Sequence, residues 1–160
     1  MGGLDLFGCL WLFFVYSFFG WIAETCFCVL KYRKFMNRGM LNSPLCIVYG
    51  IAAVIITIGF PELFDEIPIL FLGCAGVSTL LEWFTAKILE KLDHKKWWDY
   101  SSKRWNLDGY ICLQYSIVWG ILGVLSVKFV TPVLMKLYHM VPSFTVSYTH
   151  LRAHETSLHL

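Results

Sequence analysis

Four stretches of this chain carry no Asp, Glu, Lys or Arg: Leu6 to Ala23, Gly39 to Pro61, Ile67 to Leu81 and Tyr110 to Val127. A helix needs roughly 20 mainly apolar residues, at about 1.5 Å each, to cross some 30 Å of hydrocarbon. Each stretch approaches or exceeds that length. Lipid is therefore the solvent that this chain is built for. With 160 residues, 58% of them hydrophobic and 15% charged, its apolar surface exceeds what one soluble core of this size would enclose. The reading is an all-α, polytopic transmembrane helix bundle of about four spans, near 4–30, 42–60, 67–90 and 109–134, in one membrane domain covering 1–145. Nothing basic precedes the first run and no small-residue cleavage site follows it. Leu4 to Leu30 thus reads as a retained span rather than a signal peptide.

The charges set the orientation. Lys31, Arg33, Lys34 and Arg38 follow the first span, and Lys91, Lys95, Lys96, Lys103 and Arg104 follow the third; the connection Pro61 to Pro68 carries only Glu62, Asp65 and Glu66. Short basic loops stay cytoplasmic. Both basic loops are placed inside and the N-terminus outside, in a cytoplasmic membrane. A net charge of +2 spread between spans does not point to nucleic acid. The six cysteines, Cys9, Cys26, Cys28, Cys46, Cys74 and Cys112, lie in or beside apolar runs and read as small hydrophobes.

Small and weakly polar residues recur at helical spacing, which lets helices approach closely where lipid supplies no hydrophobic drive for association. The faces are Ser17, Gly20, Glu24 and Cys28; Cys74, Ser78, Glu82 and Ala86; and Cys112, Ser116, Gly120 and Gly123. Two of these residues are acids. A carboxylate inside a span costs about 2.5 to 3.5 kcal/mol on insertion scales and is held facing the bundle interior. Glu24 lies six residues from Leu30 and Glu82 seven from Leu89, which at about 1.5 Å per residue puts both roughly 10 Å below the cytoplasmic surface. The two spans are set antiparallel in this reading. Facing each other, with Ser17 and Ser78 beside them, the two acids would form a site that binds a cation or exchanges a proton. The alternative is a structural pair, neutralised by Arg38 or Lys87 or hydrogen-bonded to Ser17, Ser78 or an indole.

Two connecting segments carry further candidates. Asn37, Arg38, Gly39, Asn42 and Pro44 favour turns over continuous helix; the segment is either a cap at the membrane surface or a broken element folded into the bundle beside a cavity. The loop Asp93 to Asp108 interleaves basic residues, among them Arg104, with Trp97, Trp98 and Tyr100, and adds Asp99. It reads as an interfacial anchor for anionic lipid or as a docking surface for a cytosolic partner. Asn106-Leu107-Asp108-Gly109 is expected to turn the chain and cap the fourth span. No phosphate loop, His-Glu-x-x-His or Gly-x-Ser-x-Gly is present, and neither a cofactor nor a metal is expected.

The segments Tyr16-Ser17-Phe18-Phe19-Gly20-Trp21-Ile22-Ala23-Glu24, Asn37 to Pro44 through Tyr49-Gly50, Leu81-Glu82-Trp83-Phe84-Thr85, and Trp97-Trp98-Asp99-Tyr100-Ser101 through Asn106, Gly109 and Ile111-Cys112-Leu113 together resemble one bacterial membrane family, described as Putative ABC-transporter type IV. The likeness covers about Leu10 to Met140. Ser43 and Val48 stand where that pattern carries Gly before the proline and a second proline before Tyr-Gly. The resemblance implies a permease-like or accessory transport subunit with a separate ATPase subunit as partner; the scarcity of catalytic signatures points away from an enzyme, and because four spans are few for a complete transport path, a homo-oligomer or larger complex is expected. Two other classes stay open: a small membrane-embedded lipid-modifying enzyme or lipid-binding protein, and a non-catalytic assembly or sensory partner. Residues 146–160 resemble translated sequencing-adaptor read-through; they are kept out of functional reasoning, His150, His154 and His159 included, and the natural protein is expected to be longer.

Overall fold

The computed structural model describes residues 4–33, 35, 37, 39 and 43–140. Among the described residues three helices are long and apolar enough to cross a membrane: α1 (Leu6–Tyr32), α3 (Ile67–Asp93) and α4 (Leu113–Met140). Between the first two lies α2 (Ile47–Gly59), followed by a 3-10 turn at Pro61–Leu63. Before α4 the chain makes a two-stranded antiparallel hairpin, β1 (Asn106–Leu107) and β2 (Ile111–Cys112). All-α architecture follows, as the apolar runs predict. Large hydrophobic side chains face outward along every long helix, such as Phe14 and Phe18 on α1, Leu72 and Leu80 on α3, and Ile121 and Leu125 on α4. In water this surface would be prohibitive; in hydrocarbon it is the solvated face.

The second apolar run departs from the expectation of a full span over 42–60. Its helix has 13 residues, only about 20 Å of rise. The chain bends at Ser43 and Pro44 and is still non-helical at Cys46. There the Cys46 amide donates to the Ser17 carbonyl at 2.8 Å, beside the middle of α1. At Cys46 the chain entering α2 is therefore packed against α1. Gly50 makes the approach possible: a Cβ there would run into the Phe13 carbonyl and the Ser17 hydroxyl.

α4 runs antiparallel to both α1 and α3. Asp5 and Trp11 at the start of α1 bond to Tyr138 and the Leu134 carbonyl, while on α3 Cys74 lies against Gly123 and Thr79, further along, bonds to Ser116. Hence α1 and α3 are parallel, not antiparallel as first set. Parallel is also the relation required when each ends in a basic connection on one side. Both close in the left-handed region, at Arg33 (φ 52°) and His94 (φ 53°). Close α3–α4 packing rests on Gly120 and Gly123, where a Cβ would meet the Phe71 ring and Cys74. The small faces read from the sequence point inward: Ser17, Gly20, Cys28, Cys74, Glu82, Ala86, Cys112 and Gly120 are all buried.

One device has no sequence signature. α4 widens into a π turn at Ser126–Val130, whose closing bond runs from the Thr131 amide to the Ser126 carbonyl. The Tyr16 hydroxyl meets this turn, 2.8 Å from Thr131 Oγ1 and 3.4 Å from the Ser126 carbonyl. A π turn leaves backbone carbonyls poorly aligned, and inside a bilayer each needs a partner from within the protein. Tyr16 supplies one and ties α1 to α4.

Candidate functional site

Glu24 and Glu82 belong to one hydrogen-bonded cluster. The Tyr49 hydroxyl, from α2, donates to Glu24 Oε1 at 2.6 Å. The Trp119 indole, from α4, donates to Glu82 Oε2 at 3.2 Å. The two aromatics meet edge to face, with ring centroids 5.7 Å apart. A bridge of two rings thus joins the carboxyl groups. Tyr49 reaches this place because Gly20 on α1 has no side chain: a Cβ would overlap the Tyr49 ring.

Closure comes from the basic end. The Tyr100 hydroxyl, from the loop after α3, donates to Glu82 Oε1 at 3.1 Å, and its ring stacks on Tyr115 of α4 at 4.7 Å between centroids. Glu82 is buried and Glu24 half-buried. Among the described residues neither carboxylate forms an ion pair. Lys87, considered as a neutralising partner, instead lies over the rings of Trp83 and Tyr110, 5.2 and 4.8 Å from their centroids. Burial, followed by the charge and hydrogen bond of Glu82, holds the Tyr100 hydroxyl well above the usual tyrosine range.

Tyr100 is positioned by a folded loop rather than a free one. Leu107 and Tyr110 close a turn through the Tyr110 amide and the Leu107 carbonyl, 3.0 Å, with both central residues at positive φ: Asp108 (54°) and Gly109 (75°). Asp-Gly is the pair that such a turn prefers. Gly109 then receives the Tyr100 amide on its carbonyl at 2.8 Å. Asp99 accepts from the Ser101 amide and hydroxyl, and these bonds hold its carboxyl below the usual range. The Trp98 indole donates to the Tyr110 carbonyl and that of Trp97 to Asp93. Tyr110 itself donates to Glu90, anchoring the hairpin on α3.

The remaining sequence candidates separate from this cluster. Ser17 is fully buried two turns away on α1, and its hydroxyl lies against Gly50. Ser78, one turn before Glu82, is half-buried and supplies none of the hydrogen bonds to either carboxylate described here. Asn37 accepts from the Trp21 indole (2.7 Å) and the Gly39 amide (2.9 Å); Gly39 is buried and Pro44 exposed. Arg38 and Asn42 lie outside the described residues. Arg104 projects from the exposed edge of the hairpin. Sequence reasoning missed Tyr49, Trp119 and Tyr115. Only tertiary contact shows Tyr49 and Trp119 to be partners of acids and Tyr115 to be the ring on which Tyr100 stacks.

Long apolar helices around an internal acidic and aromatic cluster define a multi-pass helical membrane protein. The family described as Putative ABC-transporter type IV matches residues 11–153, nearly the whole chain, and the chain belongs to that family. The match runs into the stretch from Val146 onward. No curated protein and no solved structure matches the chain.

Proposed function

We propose that this protein is a permease-like or accessory membrane subunit of a transport system in the bacterial cytoplasmic membrane, with Glu24 and Glu82 as its proton- or cation-responsive centre. The observation that carries this reading is the pair of intramembrane carboxyl groups, bridged by Tyr49 and Trp119 and held by neutral donors alone among the described residues. An acid kept within a span without a cation is costly and is characteristic of ion and proton pathways. The closure by Tyr100 makes the cluster an occluded state, which opens toward the basic end when the hairpin lifts. By the positive-inside rule that end is cytoplasmic. The chain has no phosphate loop, so any nucleotide hydrolysis belongs to a separate subunit, for which the hairpin face with Trp97, Trp98, Asp99 and Arg104 is the docking surface.

The same hydrogen bonds favour a second reading, in which the acids only hold helices in register and the protein is an assembly partner. Proton and cation flux in liposomes, measured for wild type, Glu24→Gln and Glu82→Gln together with stability in mild detergent, separates the two. Flux lost at unchanged stability supports the ion-responsive centre. Unchanged flux, or a fall in stability alone, assigns the glutamates to assembly.

A further inference from the structure

The outer edge of the hairpin and the lipid-facing side of α4 together form an open cavity of about 520 Å³, lined by Lys103, Arg104, Trp105, Leu113, Gln114 and Ile117. Its chemistry is graded along the membrane normal. Two cations lie at the hairpin level; Leu113 and Ile117, exposed on α4, continue toward the hydrocarbon. Among the described residues neither cation has an acidic partner. The Lys103 backbone is fixed: its amide donates to the Tyr100 carbonyl at 2.8 Å, and Asn106 Nδ2 donates to its carbonyl at 2.7 Å.

Trp105 is a separate indication. It sits at φ 56°, a left-handed conformation that bulky side chains rarely adopt. Its carbonyl is engaged by the Leu113 amide at 3.0 Å, and its indole is thrust outward, 76% exposed. Burial of the ring does not account for this geometry. An indole presented at the membrane surface beside two cations does, since tryptophan prefers the headgroup region and basic groups attract anionic lipid.

We propose that this cavity binds one anionic phospholipid of the cytoplasmic leaflet, its phosphate between Lys103 and Arg104, its glycerol region against Trp105 and Gln114, and an acyl chain along Leu113 and Ile117. The site does not involve the glutamates, and it shares Arg104 with the docking face proposed above. The probe is the full chain in phosphatidylcholine vesicles containing a minority of phosphatidylglycerol, with chain-brominated acyl groups on one lipid or the other. The share of tryptophan quenching that Trp105→Phe removes reports contact at the site. Brominated phosphatidylglycerol is expected to quench Trp105 several-fold more than its mole fraction predicts. In Lys103→Gln/Arg104→Gln that preference falls to about the mole-fraction value, since two lipid-attracting charges are lost. Lys103→Arg/Arg104→Lys retains it, which guards against a folding artefact. An equal fall in Lys95→Gln, an exposed cation outside the cavity, would reduce the effect to diffuse attraction and overturn the site. So would equal quenching by brominated phosphatidylcholine, or self-association lost in Trp105→Phe, which would give the face to a second copy of the chain.

Discussion

Tyr100 touches two levels of the molecule with one side chain: its backbone belongs to the hairpin and its hydroxyl to the buried acid Glu82. A hydrogen bond to a charged acceptor contributes about 1.5 to 3 kcal/mol, and less between membrane helices, where about 0.6 kcal/mol is average. Tyr100→Phe is expected to cost about 1 kcal/mol in an unfolding titration at neutral pH. The pH dependence has a definite sign. Because the folded protein holds the Tyr100 proton more tightly than the unfolded chain does, its contribution is complete below about pH 10 and declines as pH rises beyond that value. The stability gap between wild type and Tyr100→Phe should therefore narrow above about pH 10. A gap that widens there would show that the hydroxyl is not buried against Glu82. Sequence put Glu24 and Glu82 forward as a pair of inward acids, because carboxyl groups within apolar runs have few alternatives, and in the structure they join one hydrogen-bonded cluster. It did not name their partners, since Tyr49, Trp119 and Tyr100 come from three different elements brought together only by packing.

At the scale of elements, glycines decide how near the helices come. Gly50 on α2 faces the backbone of α1, whereas Gly76 on α3 has open space where a Cβ would go. Gly50→Ala must push α2 away from α1 and is expected to destabilise by about 1 to 3 kcal/mol, the usual range for overpacking. Gly76→Ala should be neutral or stabilising by up to about 1 kcal/mol, since alanine is the better helix former. Denaturant titration in mixed micelles distinguishes them; equal effects would contradict the close α1–α2 contact. The faces at helical spacing were legible because small residues serve little purpose against lipid. The shortness of α2 was less so. An apolar run over Gly39 to Pro61 satisfies any length criterion, and only the bend at Ser43 and Pro44 and the bond from Cys46 to Ser17 show where helix begins. The π turn in α4 likewise has no residue that announces it, since nothing in Ser126 to Val130 forbids ordinary α-helix.

For the molecule as a whole, the two basic connections leave from one end, and the acidic Glu62, Asp65 and Glu66 lie at the other. A membrane-impermeant maleimide should label Ser102→Cys only from the cytoplasmic side and Glu62→Cys only from the opposite side, each compared with wild type in sealed vesicles of known orientation. Labelling of both from one side would overturn the orientation. What sequence by itself determined is the solvent and a shared side: uncharged runs of about membrane length, three of which form long helices, call for lipid, and the Lys and Arg positions put the ends of α1 and α3 on one side. These are properties of composition along the chain and survive any rearrangement of neighbours. Tertiary structure alone decided that the second run carries only a short helix, tied to α1 at Cys46, and that the loop after α3 folds into a hairpin delivering Tyr100 to Glu82. Those outcomes depend on contacts between distant residues, where a missing Cβ at Gly20 or Gly50 and a donor on another helix select one packing among many that the same hydrophobic pattern allows.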